Sequence, residues 1–260
     1  MKKLLMLLTA FVLIFNLLLT ACSKQDKDFD LTGNLINDIS NFFPLGRVDV
    51  NILQISVPPE NKKRYDEIVS KVITGYEENK DYFKDSIIWK LDERIYKMKD
   101  GIFYNDSPVS WNERFGVSYE EYEEIYGLID FCKTGEGVVT IDKKDKDTLV
   151  IKPEQNIKNL DHIDINISKK TVSTMYGHYK YHGFRKAPTN KPAKFLYDRW
   201  GEYDWTIDTE KSSLKNSRGY NSFYIGQIKS TKEIIIFLRN DSNDGPEHQN
   251  IIFSFNAKKE

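Results

Sequence analysis

The apolar positions of this chain keep two periods, and the switch between them divides it. An apolar stretch occupies residues 4–19 behind Lys2 and Lys3, broken only by Thr9 and Asn16. Polar residues follow from Ser23, and Leu31, Leu35, Ile36 and Ile39 then have the spacing of a short helix that Pro44 and Gly46 end. Val48, Val50 and Ile52 alternate, change phase, and continue as Leu53, Ile55 and Val57, which predicts a strand bulged at the phase change. Beyond Pro58-Pro59, Tyr65, Ile68, Val69, Val72, Ile73 and Tyr76 fall at helical intervals, and a weaker helical pattern passes through Phe83, Ile87, Ile88, Leu91 and Ile95. Ser118-Tyr119-Glu120-Glu121 is a capping box ahead of the stripe Tyr122, Ile125, Tyr126 and Ile129.

After Gly135 the period becomes two. Residues 138–141 and 149–151 flank the polar turn 142–147, and alternation returns at 163–167, 175–181, 203–207, 223–228, 234–238 and 251–255. The pattern predicts an α+β fold, with an N-terminal helical region followed by a C-terminal antiparallel β-meander, sandwich or small barrel. The corresponding divisions are 1–21, 22–46 as a tether with a short helix, 47–134 as the mainly helical region, and 135–260 as the β region. The last two can form one domain.

The first stretch reads as a secretory signal, because its basic start is followed by an apolar run that as a helix reaches only about 24 Å. That falls short of the roughly 30 Å hydrocarbon core. Leu19-Thr20-Ala21-Cys22, which ends it, resembles the lipobox of bacterial prolipoproteins. The small Thr20 and Ala21 suit a signal-peptidase cleft, and the thiol of Cys22 suits thioether formation with diacylglycerol. The resemblance implies that Cys22 is lipidated and becomes residue one, so that the bilayer is a partner through its acyl chains. It also implies a place at the cell membrane or outer membrane, with the body facing the periplasm or cell exterior. Ser23 stands where an Asp would signal inner-membrane retention. The body is loosely similar to uncharacterised Bacteroidota-type lipoproteins over Pro58-Pro59 and residues 115–122, and that similarity implies no activity.

Composition narrows the classes. The 260 residues are 40% hydrophobic and 30% charged, with 38 Lys+Arg against 39 Asp+Glu. Loss of residues 1–21 takes Lys2 and Lys3 from the basic side, leaving 36 against 39 and a net charge of −3. Nucleic acid is therefore not the expected partner, and overall charge does not draw the body to anionic headgroups. A mean hydropathy of −0.55 excludes a polytopic membrane protein. With Cys22 lipidated, Cys132 has no partner for a disulfide, and next to Phe131 at a predicted helix end it reads as a buried, inert thiol.

Candidate chemistry is sparse. His178 and His182 share a strand face about 13 Å apart at roughly 3.3 Å per residue, too far for one ion, although either can pair with His162 or an Asp from a neighbouring strand. Tyr179, Tyr181, Trp200, Tyr203 and Trp205 bring amphipathic rings close together, as interfaces and sugar-stacking platforms do. Cross-strand pairing of aromatics in a sheet accounts for the same cluster. Asn240 to Gly245 resembles the start of a calcium loop, but Ile251 stands where the closing Glu is required. No nucleophile elbow, phosphate-binding loop, HExxH or Cys-x-x-Cys occurs. No metal, cofactor or catalytic residue is assigned. The expected function is a membrane-anchored, non-catalytic module binding a protein or glycan, one version being an immunity lipoprotein that neutralises a toxin. The alternative is a cell-envelope hydrolase whose site is assembled only in space.

Overall fold

The structure, a computed structural model, describes residues 30–78, 117–188, 193–208, 210–211, 221–240 and 250–258. The chain divides into Met1–Asp30 and the compact unit Leu31–Glu260. Among the described residues ten strands build the second unit: β1 (Gly46–Ser56), β2 (Asp130–Lys143), β3 (Thr148–Gln155), β4 (Ile163–Asn166), β5 (Thr171–Thr174), β6 (Gly177–Arg185), β7 (Trp200–Ile207), β8 (Asn221–Ile228), β9 (Ile234–Asn240) and β10 (Ile251–Phe255). From β2 onward each strand pairs antiparallel with the next, and β1 closes the ring by pairing with both β2 and β10. The result is a closed up-and-down barrel, which has no free sheet edge to protect. The described helices are α1 (Leu35–Phe42), α2 (Pro59–Glu78) and α3 (Tyr119–Leu128), with one 3-10 turn at Leu196–Arg199.

This corrects the α+β expectation. Helices α2 and α3 lie in the connection between β1 and β2, which pair over the whole length of β1. The described residues of 47–134 thus hold barrel strand β1, helices α2 and α3 and the start of the return strand β2, so that β1 belongs to the sheet and not to a helical layer preceding it. Position 135, where the period changes, falls inside β2. Local periodicity reports single elements, whereas closure comes from the pairing of β1 with β10 at opposite ends of the chain, which no local pattern carries. The weaker helical pattern of residues 83–95 and the residues 241–245 lie outside the described residues.

Strand parity separates the two faces of the wall. Ile52 pairs with Phe253, Phe253 with Ile236, Ile236 with Ile225, Ile225 with Tyr203 and Tyr203 with Phe184, so these side chains share the inner face. Following the same register, β2–β5 present Val139, Ile141, Leu149, Ile151, Ile163, Ile165 and Val172 inward, while β6–β8 and β10 present Tyr179, Tyr203, Trp205, Phe223, Phe253 and Phe255. About eight strands make a barrel that ordinary side chains just fill, and the bore widens with each further strand. Large rings on one arc occupy the extra width here, with Trp205 meeting Phe223 edge-on at 5.6 Å between centroids.

Helix α1 completes the filling from one mouth. Asn34 caps it by accepting from the Asn37 amide at 3.3 Å. Leu35 and Ile39 are buried, and the ring of Phe43, just beyond the helix, stands edge-on to Phe255 at 5.4 Å. The buried Asp38 carboxylate accepts from the Thr32 amide and hydroxyl, each at 2.8 Å, from the Gly33 amide at 3.3 Å and from the Tyr203 hydroxyl. A buried carboxylate needs such a set of donors. Burial and that charge together raise the Tyr203 phenol well above its ordinary pKa. On the outside, α2 and α3 pack Tyr65, Ile68, Val72 and Ile125 together and against Ile55 and Val57. The Ser118–Glu121 capping box forms as its sequence predicts, with amide bonds of 3.2 and 3.3 Å.

Candidate functional site

The five aromatic candidates do not make one surface. Tyr179, Tyr203 and Trp205 are fully buried inside the barrel, and the Trp205 indole donates to the Lys170 carbonyl at 3.0 Å. Tyr181, half-buried on the same inner face, meets Trp205 edge-on at 5.4 Å. Trp200 has the opposite parity. It is buried on the outer wall among Leu53, Ile235, Phe237 and Ile252, with Phe131 edge-on at 5.4 Å. Four of these rings are core and Tyr181 borders them, so a platform for a ligand has to be sought elsewhere. The histidines are also dispersed. His178 Nδ1 shares a 2.7 Å hydrogen bond with the Ser173 hydroxyl, His162 pairs with Asp161 at 2.9 Å, and His182 lies 3.5 Å from Asp204. Among the described residues no group of three or more His, Cys, Asp or Glu side chains is placed to hold a metal ion. Cys132 is on β2 rather than at a helix end, half-buried, with its thiol 3.7 Å from the carbonyls of Ser56 and Asp130. Cys22 lies outside the described residues, and among those residues no helix is long and apolar enough to cross a membrane.

Two other places gather polar chemistry. The first is the outer face of β7, where Glu202 and Asp204 point away from the aromatic interior. Glu202 is only 7% exposed. Arg185 binds one of its oxygens through Nε at 3.1 Å and Nη2 at 2.9 Å, while the other oxygen is buried with no hydrogen-bond partner among the described residues. Burial outweighs the guanidinium and, with Asp204 nearby, pushes the Glu202 carboxyl up to about 7. Asp204 is raised as well, chiefly by burial and against the pull of His182 and Arg185, and one of its oxygens likewise has no partner among the described residues. Tyr224 stands directly across from Asp204 on β8, its phenol raised by burial. The signal for this pair was the alternation in Trp200-Gly201-Glu202-Tyr203-Asp204-Trp205: once Tyr203 and Trp205 are inside, the two carboxylates must be outside.

The second place is a groove of about 480 Å³ across the outer wall of β1, β2 and β3, reaching Glu233 and Asn256. Asp49, Glu136 and Glu233 supply carboxylates, and Asn51, Gln155, Asn156 and Asn256 supply amides, with no Lys or Arg among the described residues of the lining. Glu233 is held by Asn51 at 2.9 Å, Ser254 at 3.1 Å and Thr231 at 3.3 Å. Glu136 lies 2.6 Å from Lys133, which holds its carboxyl below the ordinary range. Asn156 takes the left-handed conformation, φ 63°, that Asn tolerates, and its amide donates to the Glu136 carbonyl at 3.1 Å. Gly137 fits the floor because a Cβ there would stand 2.8 Å from the Gln155 carbonyl oxygen. Rich in acceptors and poor in cations, the groove suits a ligand that donates hydrogen bonds through hydroxyl or ammonium groups and disfavours phosphates. Its residues come from five separate stretches of chain, so no sequence motif announces them.

No protein-family model, curated protein or solved structure matches the chain.

Proposed function

We propose that this protein is a lipid-anchored, non-catalytic binding module, acylated at Cys22 in a bacterial cell membrane or outer membrane with its body facing the periplasm or cell exterior, whose ligand is a protein or glycan. The observation that supports binding is the acceptor-lined groove on the outer wall, in a barrel whose bore is given to core packing. Several fixed carboxylates and amides meet a hydroxyl-rich saccharide or the basic face of a protein with many weak, directional contacts. The test is capture from native membranes by the tagged body, compared with the same body carrying Asp49→Ala, Glu136→Ala and Gln155→Ala. A partner captured by the first and lost with the second supports the reading. Equal capture by both removes the groove from it.

Hydrolysis is the second reading, favoured by one observation: Glu202, raised to about 7, beside Asp204, His182 and Arg185. A carboxyl in that range can donate a proton near neutrality. Turnover of a glycan, peptide or ester substrate that Glu202→Gln abolishes and the groove substitutions spare would favour this reading over binding.

A further inference from the structure

The mouth closed by α1 differs in chemistry from the groove. A smaller pocket of about 100 Å³ lies there, with Ile39, Phe43, Leu149 and Ile167 among its apolar lining. Lys143, Lys146 and Lys258 ring it, against the single carboxylate, among the described residues of the lining, of Asp145. The most exposed large apolar side chain among the described residues, Leu45 at 55%, is part of the lining. Ile36, at 50%, sits one helical turn before Ser40 on the stripe of α1 that faces the pocket. We propose that this end of the barrel is a membrane-contacting face, which seats its protruding aliphatic side chains in an anionic bilayer while the lysines meet lipid phosphates.

The charge that decides this is local. Lysines within reach of an anionic surface act over a Debye length of about 8–10 Å, so carboxylates elsewhere on the body are screened from the contact. Along 142–147 Asp142, Asp145 and Asp147 equal Lys143, Lys144 and Lys146 in number, with Lys146 paired to Asp147 at 4.0 Å and Lys144 to Asp164 at 3.0 Å. Within the pocket lining the surplus comes from Lys143 and from Lys258, which the chain's far end brings to the same rim, its amide bonded to the Phe42 carbonyl at 2.8 Å. Neither side chain has an ion-pair partner among the described residues. A net charge of −3 over the whole body therefore does not forbid attachment at this end. The folded unit also starts here, with the Leu31 amide donating to Gln227 at 3.2 Å, nine positions after Cys22. The contact needs neither acylation nor the groove, so its failure and theirs are separable.

The experiment is vesicle co-sedimentation of the body starting at Ser23, which contains the whole compact unit Leu31–Glu260. It uses phosphatidylcholine vesicles with and without phosphatidylglycerol. Binding is expected to the anionic vesicles, weakening as salt rises. At about fivefold per lysine, Lys143→Gln, Lys146→Gln and Lys258→Gln together lower the partition on the order of 100-fold. Ile36→Ser with Leu45→Ser lowers it severalfold, and Glu136→Ala leaves it unchanged. Equal partition onto both kinds of vesicle, or anionic binding that the lysine and aliphatic substitutions leave intact in proteins with unchanged circular dichroism, overturns the proposal.

Discussion

Strands β4 and β5 bury one face, whereas β7 through β10 bury both. In β4 and β5 the side chains alternate cleanly, Ile163, Ile165, Val172 and Thr174 buried inside and their neighbours partly open to solvent. In β7 to β10 the outer positions Trp200, Glu202, Ile235, Phe237 and Ile252 are buried almost as fully as the inner Tyr203, Trp205, Phe223 and Phe253. A wall buried on both sides has no cheap place for a charge, and Glu202 and Asp204 sit in just that wall. The partly unsatisfied carboxylates thus belong to the doubly buried arc, while the groove belongs to the wall of β1 to β3.

The comparison can be broken most forcefully at its core. Trp205→Ala removes a fully buried ring that fills the wide bore, and a loss of about 3–5 kcal/mol in urea unfolding is expected; a loss below 1 kcal/mol would mean that the aromatic arc does not fill the barrel. Glu202→Gln probes the trapped charge. Its carboxyl ordinarily titrates near 4.5 and is raised to about 7 in the fold, so the folded state holds its proton longer, and stability falls as pH rises from about 4.5 to 7. The substitution should then raise stability by about 3 kcal/mol at pH 8 and change little below pH 4.5, a contrast that melting curves at the two pH values would reveal. Gly226→Ala tests whether the outer face is really packed, because its Cβ would come within 2.6 Å of the Trp200 ring and 2.8 Å of the Gly201 carbonyl oxygen. A cost of about 1–3 kcal/mol follows. Ser173→Ala, on the solvated face of β5, should stay within about 0.5 kcal/mol by the same denaturant assay.

The same contrast explains what could be read from the residues alone. Where one face is buried, the two-residue period is plain, as in Ile163-Asp164-Ile165, and where a helix lies on the barrel, Tyr65, Ile68, Val69 and Val72 mark its inward stripe. The capping box at Ser118 needed only local geometry. Closure did not show, because Asn51 and Ser254 meet only after the chain has passed through every other strand. Nor did the role of α1 as a plug, since its buried Asp38 looks like any surface carboxylate until Tyr203 is placed beneath it. The five aromatics were grouped by proximity in sequence, yet Trp200 and Tyr203 differ in parity, and parity decides between outer wall and bore. A groove assembled from Asp49, Gln155 and Glu233 leaves no trace in any window of sequence.

The proposed location rests on acylation of Cys22. Mass analysis of the N-terminal peptide of the protein extracted from bacterial membranes with detergent is the most direct test. The account predicts a peptide that begins at Cys22 and carries diacylglycerol in thioether linkage, and that is absent from membranes of cells expressing Cys22→Ser. An unmodified N-terminus at any other residue would contradict it.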